Sequence, residues 1–176
     1  MILIRPATRE DAEYVGAHLR PEDEVEVRTA SGDDPGAAVV HSWELSQPHR
    51  FAVWEVWDGR ANYLCGPIGM FGATPASTGG AEGDVGVVWF LGTPESARQS
   101  LSIIREAPEW LDYLGRIFEG GLVSYADQRN TLHIAWCRAV GFQFDPEMDT
   151  TINGFPFTFI YRTSCVTPQP SLQEPA

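Results

Sequence analysis

The chain has 176 residues, 43% of them hydrophobic, with 6 Trp, 9 Phe and 5 Tyr, which suits one domain with a packed core and excludes wholesale disorder. Formal net charge is −12, and all 12 basic residues are arginine. The absence of lysine excludes a lysine Schiff base and a P-loop lysine. The acidic balance disfavours nucleic acid and anionic membranes as partners, and either attracts basic substrates and basic protein patches or serves solubility alone.

In chain order, Ile2 to Arg5 reads as a short strand. Thr8 opens a helix, with Asp11 completing a capping box in place of the usual Glu, and Ala12, Val15 and Leu19 follow at helical spacing up to Pro21. The acidic stretch Glu22 to Glu26 is either a second helix or a loop. SGDDPG at 31–36 is a turn, and Ala37 to Leu45 a short helix. Phe51 to Trp57 and Tyr63 to Phe71 form strands around an Asp58–Gly59 turn, the second interrupted at Gly66–Pro67. If the first strand is regular, Trp54 and Trp57 point to opposite faces, and one of them is a candidate partner anchor.

A small polar loop follows at 74–84. Val85 to Leu91, VGVVWFL, is the most apolar strand and reads as the sheet centre. Thr93–Pro94–Glu95 marks the start of a long helix with an apolar stripe of Leu101, Ile104, Leu111, Leu114 and Phe118, which Pro108 should kink or split. Gly120–Gly121 ends it. Leu122 to Ala126 is a strand, and Arg129 to Val140 a helix with Leu132, Ala135, Trp136 and Ala139 inward. Gly141 caps that helix, and Phe155 to Tyr161 is the last strand. This order gives an α/β (α+β) layer with helices on one mainly antiparallel sheet. The expected organisation is a single domain over 1–165 and a disordered tail over 166–176, since Thr167 to Ala176 has no apolar periodicity.

Cys65, Cys137 and Cys165 are odd in number and scattered, so they form neither a disulfide framework nor, with His18, His41, His49 and His133, a metal spacing. No apolar run approaches the roughly 20 residues of a membrane helix, and MILIRPATRED lacks the series of features of a secretory signal. There is no G-x-S-x-G, H-E-x-x-H, C-x-x-C or G-x-x-x-x-G-K-S/T.

Asn130-T-L-H-I-A-W-Cys137-R-A-V-Gly141-Phe142 resembles the penultimate helix of the GNAT N-acetyltransferases, often N-x-x-A-x-x-L-Y-x-x-x-G-F, and IRPATREDA resembles their opening. The resemblance spans about residues 2–163. It implies a GNAT-like sheet in which the strand at Val85–Leu91 is central and the strand at Leu122–Ala126 runs beside it and diverges, the splay making a coenzyme slot. It also implies roles. Leu91, Thr93, Arg98 and Asn130 would meet acetyl-CoA, Glu82 or Asp84 would accept the amine's proton, and Cys137 would stand where many members carry a tyrosine general acid. Two departures stand out. The pyrophosphate loop, resembling Q/R-x-x-G-x-G/A, is replaced by Leu91-Gly92-Thr93-Pro94-Glu95-Ser96-Ala97, with one glycine, a proline lacking an N–H and an acid near the phosphate position. Cysteine also replaces tyrosine.

VVWFLGT at 87–93, then Arg98, Arg105, Asn130, His133–Ile134 and Gly141, is similar to a bacteriophage family that includes the internal virion protein A of short-tailed phages, mainly over 85–163. This implies a phage-encoded virion-assembly protein on an acetyltransferase-like scaffold. It would act by contacts with other virion or core proteins, in the host cytoplasm during assembly or in the particle. The other expectations are an acetyl-CoA-dependent N-acetyltransferase acting on an amine and a module that holds coenzyme A without reacting it.

Each candidate residue also has a plain structural reading. Glu82 and Asp84 solubilise a Gly-rich loop, Asn130 caps its helix, His133 is a satisfied partly buried side chain, and Arg98 and Arg105, on one helix face, pair with surface acids.

Overall fold

The computed structural model describes residues 1–32, 34–57, 60–61, 66–76 and 85–163, with the backbone alone at 57, 60 and 61. Among the described residues, eight strands lie in one sheet: β1 (Ile2–Pro6), β2 (Arg50–Trp57), β3 (Arg60–Ala61), β4 (Gly69–Pro75), β5 (Val85–Gly92), β6 (Gly121–Asp127), β7 (Gln143–Ile152) and β8 (Phe155–Arg162). Their order is β1-β2-β4-β5-β6-β8-β7, with β3 paired to β2. Every pairing is antiparallel except β5 with β6, which pair in parallel over Val85–Val87 and Gly121–Val123 only and then separate. The expected central strand and the expected splay are both present.

Three helices precede β2: α1 (Arg9–Ala17), α2 (Pro21–Ser31) and α3 (Pro35–Leu45). The capping box at Thr8 forms as read. Thr8 Oγ1 accepts the Asp11 N–H, and Asp11 accepts the Thr8 N–H while also holding Arg5 at 2.8 and 3.0 Å. Pro21 starts α2 instead of merely ending α1, and the acidic stretch is helical because Glu22, Asp23 and Glu24 sit in a first turn whose dipole favours them. α1 and α3 cross so closely at Gly16 and Gly36 that a Cβ on Gly16 would lie 2.9 Å from the Gly36 Cα. Together they bury Ala12, Val15 and Val39 against Ala52, Trp54 and Met70. Trp54 is therefore core, and the Trp57 side chain lies outside the described residues, as do Cys65, Cys165, Glu82, Asp84 and the expected tail.

The other sheet face carries α4 (Ser100–Ile117) and α5 (Thr131–Ala139). Their core joins Leu111, Leu114 and Phe118 to Val88, Leu122, Cys137, Val140, Phe142 and Ile160. Several expectations change here. Pro94–Gln99 is a 3₁₀ segment, and the α-helix begins only at Ser100. Thr93 does not cap it, because its hydroxyl and its N–H both donate to the Ile68 carbonyl. The stripe read from the sequence holds at Leu111, Leu114 and Phe118, which are buried, and at Ile104, which packs against them, but Leu101 is 77% exposed and Ile103 is buried in its place. Pro108 sits within the unbroken helix α4. In α5, Leu132, Ala135 and Ala139 are exposed, while His133, Trp136 and Cys137 turn inward. β7 was not read from the sequence. It makes a hairpin with β8 through Asn153 and Gly154, at φ +51° and +84°.

Candidate functional site

Where β5 and β6 part, α2 lies across their C-terminal ends. At the β5 side, the Arg20 N–H donates to the Gly92 carbonyl at 2.9 Å, and the Gly92 N–H donates to Asp23 Oδ2 at 2.8 Å. Asp23 is fully buried and also carries the Arg20 guanidinium, whose Nε lies 2.7 Å from the same oxygen. Burial pushes the Asp23 carboxyl up, and the pull of Arg20 and the Gly92 amide does not fully offset it. At the β6 side, Glu26 accepts the Asp127 N–H at 3.3 Å and the Asn130 amide at 2.9 Å, and its Oε2 lies 3.1 Å from His133 Nδ1. Farther along α2, Thr29 accepts Arg129 through its hydroxyl and Asn153 through its carbonyl.

Glu26 and His133 form a largely buried ion pair, with side chains 13% and 17% exposed. Burial would raise the Glu26 carboxyl, but hydrogen bonds from His133, Asn130 and the Asp127 amide hold it below its ordinary value. Burial would likewise lower His133. Its hydrogen bonds to Cys137 and Glu26 and the Glu26 charge outweigh this and push it up to about 10. At neutral pH the site therefore holds an imidazolium against a carboxylate.

On the opposite side of the splay, under α4 and α5, is an apolar cavity of about 70 Å³. Phe71, Phe90, Trp110 and Trp136 line it, together with the side chains of His133 and Cys137. Phe90 of β5 and Trp136 of α5 stack with centroids 5.3 Å apart, bridging the parted strands from below.

The residues proposed from sequence are only partly brought together. Asn130 is the N-cap of α5, accepting the His133 N–H at 3.1 Å, and its amide is spent on Glu26. Thr93 is spent on Ile68, while Leu91 packs toward the α1–α3 side. Arg98 lies exposed on the 3₁₀ segment and Arg105 exposed on α4, so they do not share one α-helical face. Cys137 is 1% exposed and faces the cavity. Sequence reasoning missed Asp23, Glu26 and Arg20. Their signal was an acidic residue three beyond Arg20 and another three beyond that, a spacing that puts them on one helix face. Among the described residues, no cluster of His, Cys, Asp and Glu is arranged to hold a metal ion, and no helix is long and apolar enough to cross a membrane.

No protein-family model matches the sequence, and no curated protein does. Solved structures do. A putative acetyltransferase from Salmonella typhimurium, solved with its cofactor acetyl-CoA, superposes at TM-score 0.66 and 13% identity, covering 98% of this chain and 99% of its own. A GNAT-superfamily phosphinothricin acetyltransferase from Sinorhizobium meliloti, in complex with acetyl-CoA, gives TM-score 0.66 at 17% identity, covering 92% and 87%. The spermidine N-acetyltransferase of Vibrio cholerae, with CoA and spermine, gives TM-score 0.60 at 14% identity, covering 92% and 94%. The chain has the GNAT fold.

Proposed function

We propose that this protein uses an acetyltransferase scaffold for protein contacts, as a phage internal virion or virion-assembly component, with the coenzyme slot held shut by its own α2. The observation that carries the closed slot is Asp23. Its carboxylate occupies the Gly92 N–H, at the strand end from which a coenzyme site of this fold would be built. A polyanionic ligand would have to displace a buried carboxylate and meet Glu95 nearby, in a chain of net charge −12. The 3₁₀ segment at Pro94–Gln99 stands where a glycine-rich phosphate loop would present converging N–H groups. The phage setting rests only on the resemblance read from residues 85–163 of the sequence, which no family model matches. The partner class is other virion or core proteins.

A second reading, an acetyl-CoA-dependent N-acetyltransferase acting on an amine, is favoured by one specific feature and by the structural neighbours, which are acetyltransferases. Beyond Val87 and Val123, β5 and β6 form no ladder. Strand backbone groups alternate in direction, so Phe90 and Val88 turn their N–H and C=O toward the same gap as Gly92. An extended ligand could pair there once α2 moved aside. Under this reading Glu82 or Asp84 is the base, Cys137 the acid, and Arg98 the phosphate contact.

Isothermal calorimetry with acetyl-CoA separates the two. The first reading expects weak binding or none. A dissociation constant on the order of micromolar, about −8 kcal/mol, would overturn it in favour of the enzyme. In that case Cys137→Ala and Glu82→Gln test the acid and the base.

A further inference from the structure

Three side chains form a line from the splay into the apolar cavity. Glu26 holds His133 Nδ1 at 3.1 Å, and Asn130 fixes Glu26 from the side at 2.9 Å. His133 and Cys137 are four residues apart on α5, hence on one face and one turn apart, and both line the cavity. This is the order of parts that activates a nucleophile: a thiol, an imidazole one helical turn from it, and a carboxylate that orients the imidazole. The cavity walls beyond the sulfur are Phe90, Trp110, Trp136 and aliphatic side chains. Its volume of about 70 Å³ is little more than twice the roughly 30 Å³ that one water occupies in the liquid, so it suits a group of a few carbon atoms. His133 lines this chamber and keeps 17% side-chain exposure.

From this arrangement we infer that Cys137 is a nucleophile that takes a short acyl group from an activated ester or thioester, with His133 as its proton carrier and Glu26 as the positioning residue. The reacting form is the one in which the thiol has given up its proton and the imidazole of His133 is protonated. With that proton on the imidazole, Sγ attacks the carbonyl carbon. The new C–S bond forms, the bond from the carbonyl to its leaving oxygen or sulfur breaks, and the leaving group departs with the proton from His133. The products are S-acyl-Cys137, neutral His133 and a free alcohol or thiol. The apolar walls hold the alkyl end of the acyl group, so size selects the substrate. The inference is independent of coenzyme binding, because any activated short acyl donor serves.

The test uses the full chain with p-nitrophenyl acetate, reading p-nitrophenolate release and locating the acetyl group by peptide mass mapping. The expected result is one acetyl group at Cys137 per chain, added at least about 100-fold faster than on free cysteine, the low end of what positioned acid–base catalysis supplies. Cys137→Ala removes the label, and replacing Cys65 and Cys165 with serine leaves it. Glu26→Gln slows labelling and changes its pH profile, which a merely structural role would not do. The octanoate ester reacts far more slowly than the acetate. Label found only on Cys65, Cys165 or the terminal amine would overturn the proposal, as would labelling of Cys137 no faster than free cysteine. Should Glu26→Gln fail to fold, the comparison with free cysteine and the dependence on acyl length, both on the unmodified chain, still decide.

Discussion

Asp23 accepts the backbone N–H of Gly92, 69 positions later in the chain, from a position where it is almost wholly removed from water. It is also the counter-charge for Arg20, itself largely buried. Removing the carboxylate strands a guanidinium and a peptide N–H together. Asp23→Ala should therefore destabilise the protein by about 3–5 kcal/mol, measured by urea denaturation. Asp23→Asn keeps an acceptor for Gly92 and should cost less. Equal, small losses for both would mean that α2 is not anchored here.

The Glu26–His133 pair gives stability a sign that can be followed with pH. His133 is raised in the folded state to about 10, so its contribution is complete below its unfolded value near 6.5 and is lost as pH climbs through 10. Glu26 is depressed, so its contribution is complete above its unfolded value near 4.3 and is lost as pH falls through the lower folded one. Asp23, raised by burial, works in the opposite direction on the acid side, contributing most below its unfolded value and less as pH rises through its folded one. Urea midpoints measured from pH 6 to 10 should fall steadily, and Glu26→Gln should flatten that slope. A slope unchanged in the variant would show that His133 is held by something else.

Trp136 closes the cavity from α5 by stacking on Phe90. Trp136→Ala should cost about 3–5 kcal/mol, because the stack is lost and the chamber beneath it grows. Trp136→Phe should retain much of the difference. The comparison is read by thermal and urea unfolding, and a loss below about 1 kcal/mol would mean the site collapses freely.

The register of α4 is testable with two neighbours. Leu101→Ser should change stability by less than about 0.5 kcal/mol, since that side chain is in solvent. Ile103→Ala should cost about 2–5 kcal/mol, since Ile103 packs with Ile2, Val53 and Ile68. The reverse ranking would put Leu101 in the core, where the apolar stripe read from the sequence placed it.

The sequence carried the large elements because their signals are local. VGVVWFL needs no tertiary context to be a central strand, and the Thr8–Asp11 box is complete within four residues. The errors arose where a distant group competes for a local one. Thr93 looks like a helix cap until the Ile68 carbonyl, 25 residues away, takes its hydroxyl. Leu132 looks buried by composition, yet the helix face is set by Glu26, which draws His133 inward and leaves Leu132 in water. The β7–β8 hairpin was missed although Asn153–Gly154 is a strong two-residue turn signal, because Asp145, Glu147 and Asp149 hid the strand before it, as charges on an edge strand do. The site was the least legible part. Asp23 and Glu26 sit among six acidic or basic residues from Arg20 to Arg28 that periodicity alone assigns to a solvated surface, and only the parted ends of β5 and β6, distant in sequence, give them partners.

The three-position ladder between β5 and β6 also sets how this protein responds to force. It is a short fulcrum near Gly86 and Leu122, and the free lengths of β5 and β6 beyond it act as lever arms. From Val87 to Gly92 the arm measures about 17 Å at roughly 3.3 Å per residue. A small rotation at the ladder becomes a displacement of several ångströms at the tips. α2 is fastened to Gly92 on one arm and to Asp127 on the other, where the mechanical advantage is greatest. Few and polar as those bonds are, they resist opening with the largest torque available to them, so breaking one end should release the motion of the whole arm rather than fray a single residue.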